Sequence, residues 1–407
     1  MKKLMIINLV IGLLIFSSIA YSRSTTNKKM WNQDFDYIIT EIERLHPNPY
    51  RVMAKEEIES KFEQLLKKVN RLNSDEIIFE IAAIVSSLED GHTSIVWDQY
   101  LSDRYYPVKF KIIDDKLYII KATDEYAEII YKEVATINGY HPSNVIDKMA
   151  SYCSAENEYF RDFLVESRLS FVDFYKNTAL ASKSGELELY VKDESGYYEY
   201  NLPIVNGDDV KELGHDIDFS NTTYGVYNYN FEHVSDKQLL IFNYNDCCTD
   251  KYMSFEMFNE HMWSYIEAND IEKIVIDLSR NLGGDARCFR AFFDRFAISE
   301  LNQQGKAFVV IGNQNYSAGT EAAAMLKRLT AVELIGQPTG GSPQMFGNAE
   351  YIETPNHGVQ IAVSVDYFDT YPNYNHNAIM PDHSIIKSIE DYKKSLDPII
   401  EYVVAHQ

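Results

Sequence analysis

A serine lies where an apolar strand is predicted to give way to a helix. Residues 307–311 are all apolar and mostly aromatic or β-branched, which is typical of a buried strand. Residues 318–329 carry apolar side chains at helical spacing, and a second short strand is predicted over residues 332–335. Ser317 therefore stands at the N-terminus of the predicted helix, where unpaired backbone N–H groups and the helix dipole stabilise negative charge. This position suits a nucleophile whose oxyanion must be held, and it also suits a simple helix cap.

Acyl transfer needs a base and oxyanion donors besides a nucleophile, and two other segments carry residue types that fit. His92 follows Gly91 at the predicted end of a helix, so we expect its imidazole on an accessible loop. Its unperturbed pKa of about 6.5 leaves histidine largely neutral at neutral pH, although a lone histidine is more often an ordinary surface or core residue. Gly283 and Gly284 follow a predicted buried strand and can present two backbone amides, which is also compatible with an ordinary turn. The N–H of Ala318, beside the serine, is a third predicted oxyanion donor.

Five segments together resemble the tail-specific (C-terminal processing) serine protease family. They are residues 88–93 (LEDGHT), 276–285 (IDLSRNLGGD), 316–319 (YSAG), 336–342 (GQPTGGS) and 379–382 (IMPD). The resemblance extends from about Trp31 to the C-terminus, with a middle region that matches poorly. It implies a serine-type peptidase that hydrolyses peptide bonds in peptides or unfolded protein tails and needs no cofactor. Within that resemblance Ser317 is the nucleophile.

The family uses two kinds of general base, and the sequence distinguishes between them. In the processing branch the base is the lysine of a G-x-x-T-x-G-K motif, but Ser342 stands at that position here. Lys327 lies too close to the serine along the predicted helix to replace it. In the tricorn-like branch the base is a histidine, and the resemblance assigns this role to His92. We therefore expect His92 and Ser317 to face each other across a cleft between the helical N-terminal region and the core.

The group that orients the base is the least determined part of the predicted site. Relatives carry an acid a few residues before the Pro-Asp motif, and by register Asn375 occupies that position here. An amide can hold an imidazole through its carbonyl oxygen, as in Cys-His-Asn sites, but it stabilises an imidazolium less than a carboxylate does. Asp366 and Asp369 are the alternatives to Asn375.

Neither a metal site nor a cysteine framework is expected. His376, Asp382 and His383 could suggest metal binding, but Asp382 next to Pro381 is better explained as a structural C-terminal motif of the family. The cysteines lack C-x-x-C spacing, adjacent residues 247 and 248 would bridge each other only with strain, and no nucleophile motif surrounds the last of them. The four cysteines are Cys153, Cys247, Cys248 and Cys288.

The pattern along the chain predicts a multidomain α+β or α/β protein. A basic start, an apolar run and small residues before Arg23 are typical of a removable signal peptide, so the mature chain should be exported without a membrane anchor. Three helical stripes follow, with Ser74 as a predicted N-cap. Residues 134–139 (VATING) resemble the strand and turn of the PDZ modules of this family, although the carboxylate-binding loop of such modules is missing. The predicted divisions are a signal peptide (1–22), a helical N-terminal region (23–102), a β-rich, degenerate PDZ-like module (103–205), a linker or insertion (206–237) and a βαβ-layered protease core of the crotonase/ClpP-like type (238–407).

The charge of the chain excludes one class of partner and leaves two functions open. The formal net charge is −23, and removal of residues 1–22, which contain Lys2 and Lys3 and no acid, makes it −25. So acidic a protein should repel nucleic acid and anionic membranes. The first hypothesis is an exported serine endopeptidase that uses Ser317 and His92. The second is a catalytically weak or inactive protein that binds a peptide or apolar ligand on the same fold, which the changes at Ser342 and Asn375 favour.

Overall fold

The computed structural model of the protein describes residues 27–213, 228–247 and 253–406. The chain forms two compact units. The first comprises the chain up to Tyr100 together with Asn348–Asp366, and the second comprises Leu101–Gly347 together with Tyr367–Gln407. The predicted signal peptide lies outside the described residues. No helix in the described ranges is both long and apolar enough to cross a membrane.

The first unit is built on helices, as the apolar stripes predicted. Helix α1 covers residues 27–45, α2 is Lys55–Leu66 and α3 is Ser74–Ser86. The predicted N-cap is displaced by one residue. Asn73 caps α3 and forms a capping box with Glu76, since the Asn73 side chain accepts from the Glu76 N–H and the Glu76 carboxylate accepts from the Asn73 N–H.

A short strand follows the third helix in this unit. Strand β1 (Ser94–Ile95) pairs antiparallel with Ala362 and Ile361 of a later strand. The loop from the end of α3 to β1 contains His92, as predicted from Gly91. A 3-10 turn, Trp97–Gln99, follows near the end of the first chain segment of this unit.

The second unit begins with an antiparallel five-stranded sheet, in the order β3-β4-β5-β6-β7. The predicted hairpin and the predicted turn after residue 137 are both present, with Asn138 at φ 50° and Gly139 at φ 79°. The strands are β2 (Arg104–Tyr105), β3 (Val108–Ile113), β4 (Lys116–Ala122), β5 (Glu133–Ile137), β6 (Leu187–Asp193), β7 (Gly196–Leu202) and β8 (Val205–Asn206), and a separate pair joins β2 to β8. The helices are α4 (Pro142–Ala150), α5 (Glu158–Arg168), α6 (Val172–Lys176) and α7 (Gly207–Val210), with 3-10 turns at Asp124–Ile129 and Lys211–Leu213.

The predicted linker, residues 206–237, is partly wrong. Residues Tyr229–Val234 form strand β9, which pairs antiparallel with the first strand of the core sheet. This segment alternates Tyr229, Phe231 and His233 with polar residues, and such alternation is a strand signal that its Asn- and Tyr-rich composition obscured. Residues 214–227, which also belong to the predicted linker, lie outside the described ranges.

The core is a six-stranded sheet in the order β16-β13-β12-β11-β10-β9 with helices on both faces. All its neighbouring strands are parallel except β9 and β10. Its strands after β9 are β10 (Leu239–Tyr244), β11 (Lys273–Asp277), β12 (Ala307–Ile311), β13 (Glu333–Gly336) and β16 (His383–Ser384). Its helices are α8 (Phe255–Ala268), α9 (Arg290–Ala297), α10 (Ala318–Leu329), α11 (Ile389–Lys394) and α12 (Pro398–Ala405), with 3-10 turns at Ser235–Lys237 and Ala286–Phe289.

Burial on both faces explains why the core strands are continuous apolar runs. In β12, Val309 packs on the side of α8, α9 and α10, whereas Phe308 and Val310 pack on the side of Val403 in α12. Strands β14 (Gln344–Glu353) and β15 (Gln360–Asp369) belong to a separate three-stranded sheet with β1. The fold is therefore a multidomain α+β architecture with a helical N-terminal region, as predicted. Ser317 lies just beyond the carboxyl end of β12, which is where parallel α/β sheets commonly place their sites.

Candidate active site

Ser317 has a strained backbone and does not cap the helix that it precedes. Its φ is 48° and its ψ is −126°, and its side chain makes no capping hydrogen bond to α10. The simple-cap alternative is therefore wrong. A non-glycine residue held in a sparsely populated backbone region costs on the order of 1–3 kcal/mol. A serine on a strained strand-to-helix turn is typical of a nucleophile whose hydroxyl must be presented outward.

The turn before Ser317 is held by a buried asparagine that the sequence did not single out. The carbonyl of Asn281 accepts from the Tyr316 N–H at 2.9 Å. The Asn281 side chain donates to the carbonyl of Tyr244 at 2.8 Å and accepts from the N–H of Gly283 at 2.9 Å. Asn281 is fully buried, and its side-chain amide and backbone carbonyl together connect the backbone at Tyr244, Gly283 and Tyr316.

The structure brings the predicted glycine pair to Ser317 and also changes its expected role. Gly283 and Gly284 have φ values of 115° and 116°, and a Cβ added at Gly283 would lie 2.6 Å from the Ser317 Cβ and 3.1 Å from the Ala318 nitrogen. Only glycine fits so close an approach. The Gly283 N–H is already engaged by Asn281, so it is not a free oxyanion donor in this state. The Gly284 N–H donates to no described residue and, with Ala318, remains a predicted donor.

The GQPTGGS segment supports the other side of the serine turn. A Cβ added at Gly341 would lie 3.3 Å from the Ser317 nitrogen. Thr339 Oγ1 donates to the Gly341 carbonyl and accepts from the Ile379 N–H, both at 2.8 Å. Ser342, at the position of the lysine in the processing branch, is buried, and its hydroxyl accepts from the N–H of Gln344 at 3.2 Å. The segment thus has a structural role around the serine.

Lys327 and Asp382 form a structural pair. Lys327 Nζ donates to Asp382 Oδ1 at 2.6 Å and to the carbonyl of Met380 at 3.1 Å, while Asp382 Oδ2 accepts from the Leu334 N–H at 2.9 Å. Both carboxylate oxygens of Asp382 are therefore engaged. This agrees with the predicted structural role of the Pro-Asp motif. The Lys327 ammonium is engaged in this pair, so Lys327 is not a candidate for the general base.

The β-rich module contributes side chains to the serine turn that sequence reasoning missed. Glu156 Oε1 accepts from the Tyr316 hydroxyl at 2.8 Å, and Phe160 stacks on the Tyr316 ring with centroids 4.0 Å apart. Asn157 Nδ2 donates to the carbonyls of Gly340 at 2.9 Å and of Asn377 at 2.8 Å. The only local signal was Asn157 as the N-cap of α5, which indicates a helix start and nothing about a site.

In the first unit, His92 lies on a loop fixed by a buried carboxylate. The imidazole is partly exposed, as predicted, and the His92 N–H donates to Asp90 Oδ1 at 3.1 Å. Asp90 Oδ2 accepts from Thr93 Oγ1 at 2.5 Å, from Ser364 Oγ at 2.6 Å and from His46 Nε2 at 3.1 Å. One carboxylate thus connects the loop that carries the predicted base to His46, just after α1, and to Ser364 in β15.

The charge state of this network follows from its hydrogen bonds. His46 Nδ1 accepts from the Asn48 N–H at 3.0 Å, which assigns the ring proton to Nε2, facing Asp90. Burial by itself would raise the pKa of Asp90, but the hydrogen bond from His46, the nearby charge of His92 and the two hydroxyl donors outweigh it and hold the pKa below its usual value. Asp90 is therefore ionised at neutral pH.

The three candidates for orienting the base are all exposed. Asn375 lies on the segment between β15 and β16. Asp366 accepts from the Asn348 side chain at 2.8 Å, and Asp369 accepts from the Gln344 side chain at 3.3 Å. The choice among them stays a prediction.

The described cysteines are unpaired thiols. Cys153 and Cys247 are buried and Cys288 is partly buried, and Cys248 lies outside the described residues. Burial raises the pKa of the Cys247 thiol to about 12, and its Sγ donates to Asn281 Oδ1 at 3.3 Å. Cys247 is therefore a structural neighbour of the serine turn and not a second nucleophile.

Comparisons with known proteins give a family match for part of the chain and solved structures of similar fold. Residues 290–385 match the family model of Peptidase family S41, a segment that includes Ser317 and Asn375. The chain is 11% identical to mature CPAF complexed with lactacystin, with a TM-score of 0.63 over 94% of this chain and 100% of that chain. A CPAF variant gives 10% identity and a TM-score of 0.65 over 94% and 99% of the two chains. The photosystem II D1 C-terminal processing protease, at 11% identity and a TM-score of 0.41 over 88% and 93%, is too loosely similar to carry an argument. No curated protein matches the chain significantly in sequence.

These findings give a shared fold and a family match over part of the chain. The matched segment, on a fold shared with CPAF, places the protein among the serine-type peptidases. Residues 290–385 resemble Peptidase family S41, in agreement with the predicted resemblance to the tail-specific serine proteases.

Proposed function

We propose that the protein is an exported serine endopeptidase in which Ser317 is the nucleophile and His92 the general base. The observation that carries this proposal is the strained backbone of Ser317 against the glycine at position 283. Strain of this kind persists only where the surrounding structure over-determines it, and it is concentrated at functional sites.

The chemistry follows the general scheme of serine acyl transfer. The Ser317 hydroxyl attacks the carbonyl carbon of the scissile peptide bond while its proton passes to the neutral His92 imidazole. The carbonyl oxygen becomes an oxyanion that the N–H groups of Ala318 and Gly284 stabilise. His92 then protonates the leaving amine, and water hydrolyses the acyl-enzyme by the reverse sequence of proton transfers. Asn375, Asp366 or Asp369 orients the imidazole in this scheme.

The substrate class and the location of the protein rest on the sequence. Peptides or unfolded protein tails are the proposed substrates, because the sequence resembles the tail-specific serine proteases and residues 290–385 match Peptidase family S41. The basic start, apolar run and small-residue cleavage site before Arg23 support export. The β-rich module keeps the strand and turn of a PDZ-like module, and its lack of the carboxylate-binding loop argues against capture of a free C-terminus.

A digestion experiment tests the proposal. The purified protein and its Ser317→Ala variant are each incubated with an unfolded, reduced and alkylated protein, and the products are identified by mass spectrometry. The proposal expects internal cleavages with the wild-type protein that are absent with the variant. Equal products from both proteins would overturn it.

The second candidate is a binding protein with little or no catalysis, supported by Ser342 and Asn375 in place of charged residues. It predicts saturable binding of the unfolded chain without cleavage. Binding measured by fluorescence anisotropy in parallel with the digestion separates the two functions.

A further inference from the structure

Tyr316, the residue before the proposed nucleophile, is held at its backbone, its hydroxyl and its ring. Its N–H donates to the Asn281 carbonyl at 2.9 Å. Its hydroxyl donates to Glu156 Oε1 at 2.8 Å, and its ring stacks on Phe160 with an interplanar angle of 1°. Tyr316 is 5% exposed and Glu156 is 8% exposed, so the hydrogen bond between them is shielded from water.

These attachments act on the peptide bond that sets the conformation of Ser317. The Tyr316 carbonyl accepts from the Gly319 N–H at 2.9 Å, which fixes the plane of the Tyr316–Ser317 peptide. The φ angle of Ser317 is the rotation that relates this plane to the Ser317 side chain. The φ of Ser317 is 48°, in a region that serine rarely adopts. For this angle to persist, the Tyr316–Ser317 peptide plane must be held fixed by contacts of Tyr316.

We infer that Tyr316 is a positioning residue for the Ser317 hydroxyl, with Glu156 and Phe160 as its anchors. Glu156 lies just before α5 and Phe160 lies in its first turn, and both belong to the β-rich module. This module therefore holds the turn that carries the proposed nucleophile. The inference rests on the proposed role of Ser317. Tyr316 itself takes no part in proton transfer.

A purely stabilising role for the Tyr316 hydroxyl is the alternative, and a matched variant separates the two roles. Tyr175 is also buried, and its hydroxyl donates to the Leu169 carbonyl at 2.8 Å. Tyr316→Phe and Tyr175→Phe each remove one buried hydroxyl and one hydrogen bond of the same length. Both variants should therefore lower the melting temperature by a few degrees.

The test is the second-order rate of labelling by a fluorophosphonate probe, followed by intact mass. Tyr316→Phe should label about tenfold more slowly than wild type, because small misplacement of a reacting group lowers rates steeply. Tyr175→Phe should label at the wild-type rate. Glu156→Gln retains an acceptor for the tyrosine hydroxyl and should fall between wild type and Tyr316→Phe. On a peptide substrate, Tyr316→Phe should lower kcat with little change in KM.

Each possible outcome supports or overturns the inference. Wild-type labelling by Tyr316→Phe, or an equal loss in Tyr175→Phe, would overturn it and leave the proposed nucleophile standing. Absence of labelling in the wild-type protein would overturn the proposed function and, with it, the role of Tyr316.

Discussion

Substitution of Gly283 by alanine should abolish most of the activity with a smaller effect on stability. The new Cβ would lie 2.6 Å from the Ser317 Cβ, whereas carbon atoms in contact prefer about 3.5–4.0 Å. Either the serine or the Gly283 loop must therefore move by roughly 1 Å, and displacement of a reacting group by that amount costs about a hundredfold in rate. The φ of 115° adds backbone strain of about 1–3 kcal/mol to the folded state.

Gly305→Ala is the matched control for this change. Gly305 also has a positive φ, 78°, but a Cβ added there would have no atom within 4 Å. The Gly305→Ala variant should have an unfolding free energy about 1 kcal/mol lower than the wild-type protein and should keep its activity. Both variants are assayed by kcat/KM on a peptide and by urea denaturation. Wild-type kcat/KM in Gly283→Ala would refute the proposed geometry, and equal losses in both variants would attribute the effect to strain alone.

Three other predictions concern the base, its orientation and the thiols. Asp90→Asn should lower the unfolding free energy by about 2 kcal/mol at neutral pH, because a buried ionised acceptor is lost. Since the folded pKa of Asp90 is depressed, this contribution is present above its unfolded pKa of about 3.9 and is lost as pH falls through the folded value, so the unfolding free energies of the two proteins should converge as the pH is lowered. If Asn375 orients His92, Asn375→Asp should raise the pKa of His92 and move the acid limb of the pH–rate profile to higher pH, and an unchanged profile would exclude Asn375 from this role. Iodoacetamide should modify partly exposed Cys288 before buried Cys247 in the folded protein, as peptide mapping would show.

The core was largely predictable because its signals are local. The apolar run of β12 and the helical periodicity of α10 gave the observed bounds, Ala307–Ile311 and Ala318–Leu329. Each depends only on neighbouring residues and on burial of one or both faces. Strand β9 was missed because its alternation occupies six residues in an otherwise polar segment.

The details of the site were less predictable because they depend on distant contacts. The close approach of Gly283 to Ser317 and the bond between Tyr316 and Glu156 join residues that are distant in sequence, so the sequence could not distinguish a cap from a strained nucleophile. Glu156 contacts a residue 160 positions away in sequence, and no spacing rule connects the two. Asp90 lies inside the recognised LEDGHT segment, but its links to His46 and Ser364 depend on tertiary structure.

Covalent labelling by a fluorophosphonate probe tests the central claim most directly. The wild-type protein should gain the mass of one adduct, with peptide mapping placing it on Ser317, and Ser317→Ala should gain none. His92→Ala should label slower by about a thousandfold or more, since an unassisted serine hydroxyl is a poor nucleophile. An unlabelled wild-type protein, an adduct on another residue, or wild-type labelling of His92→Ala would contradict a Ser317–His92 peptidase.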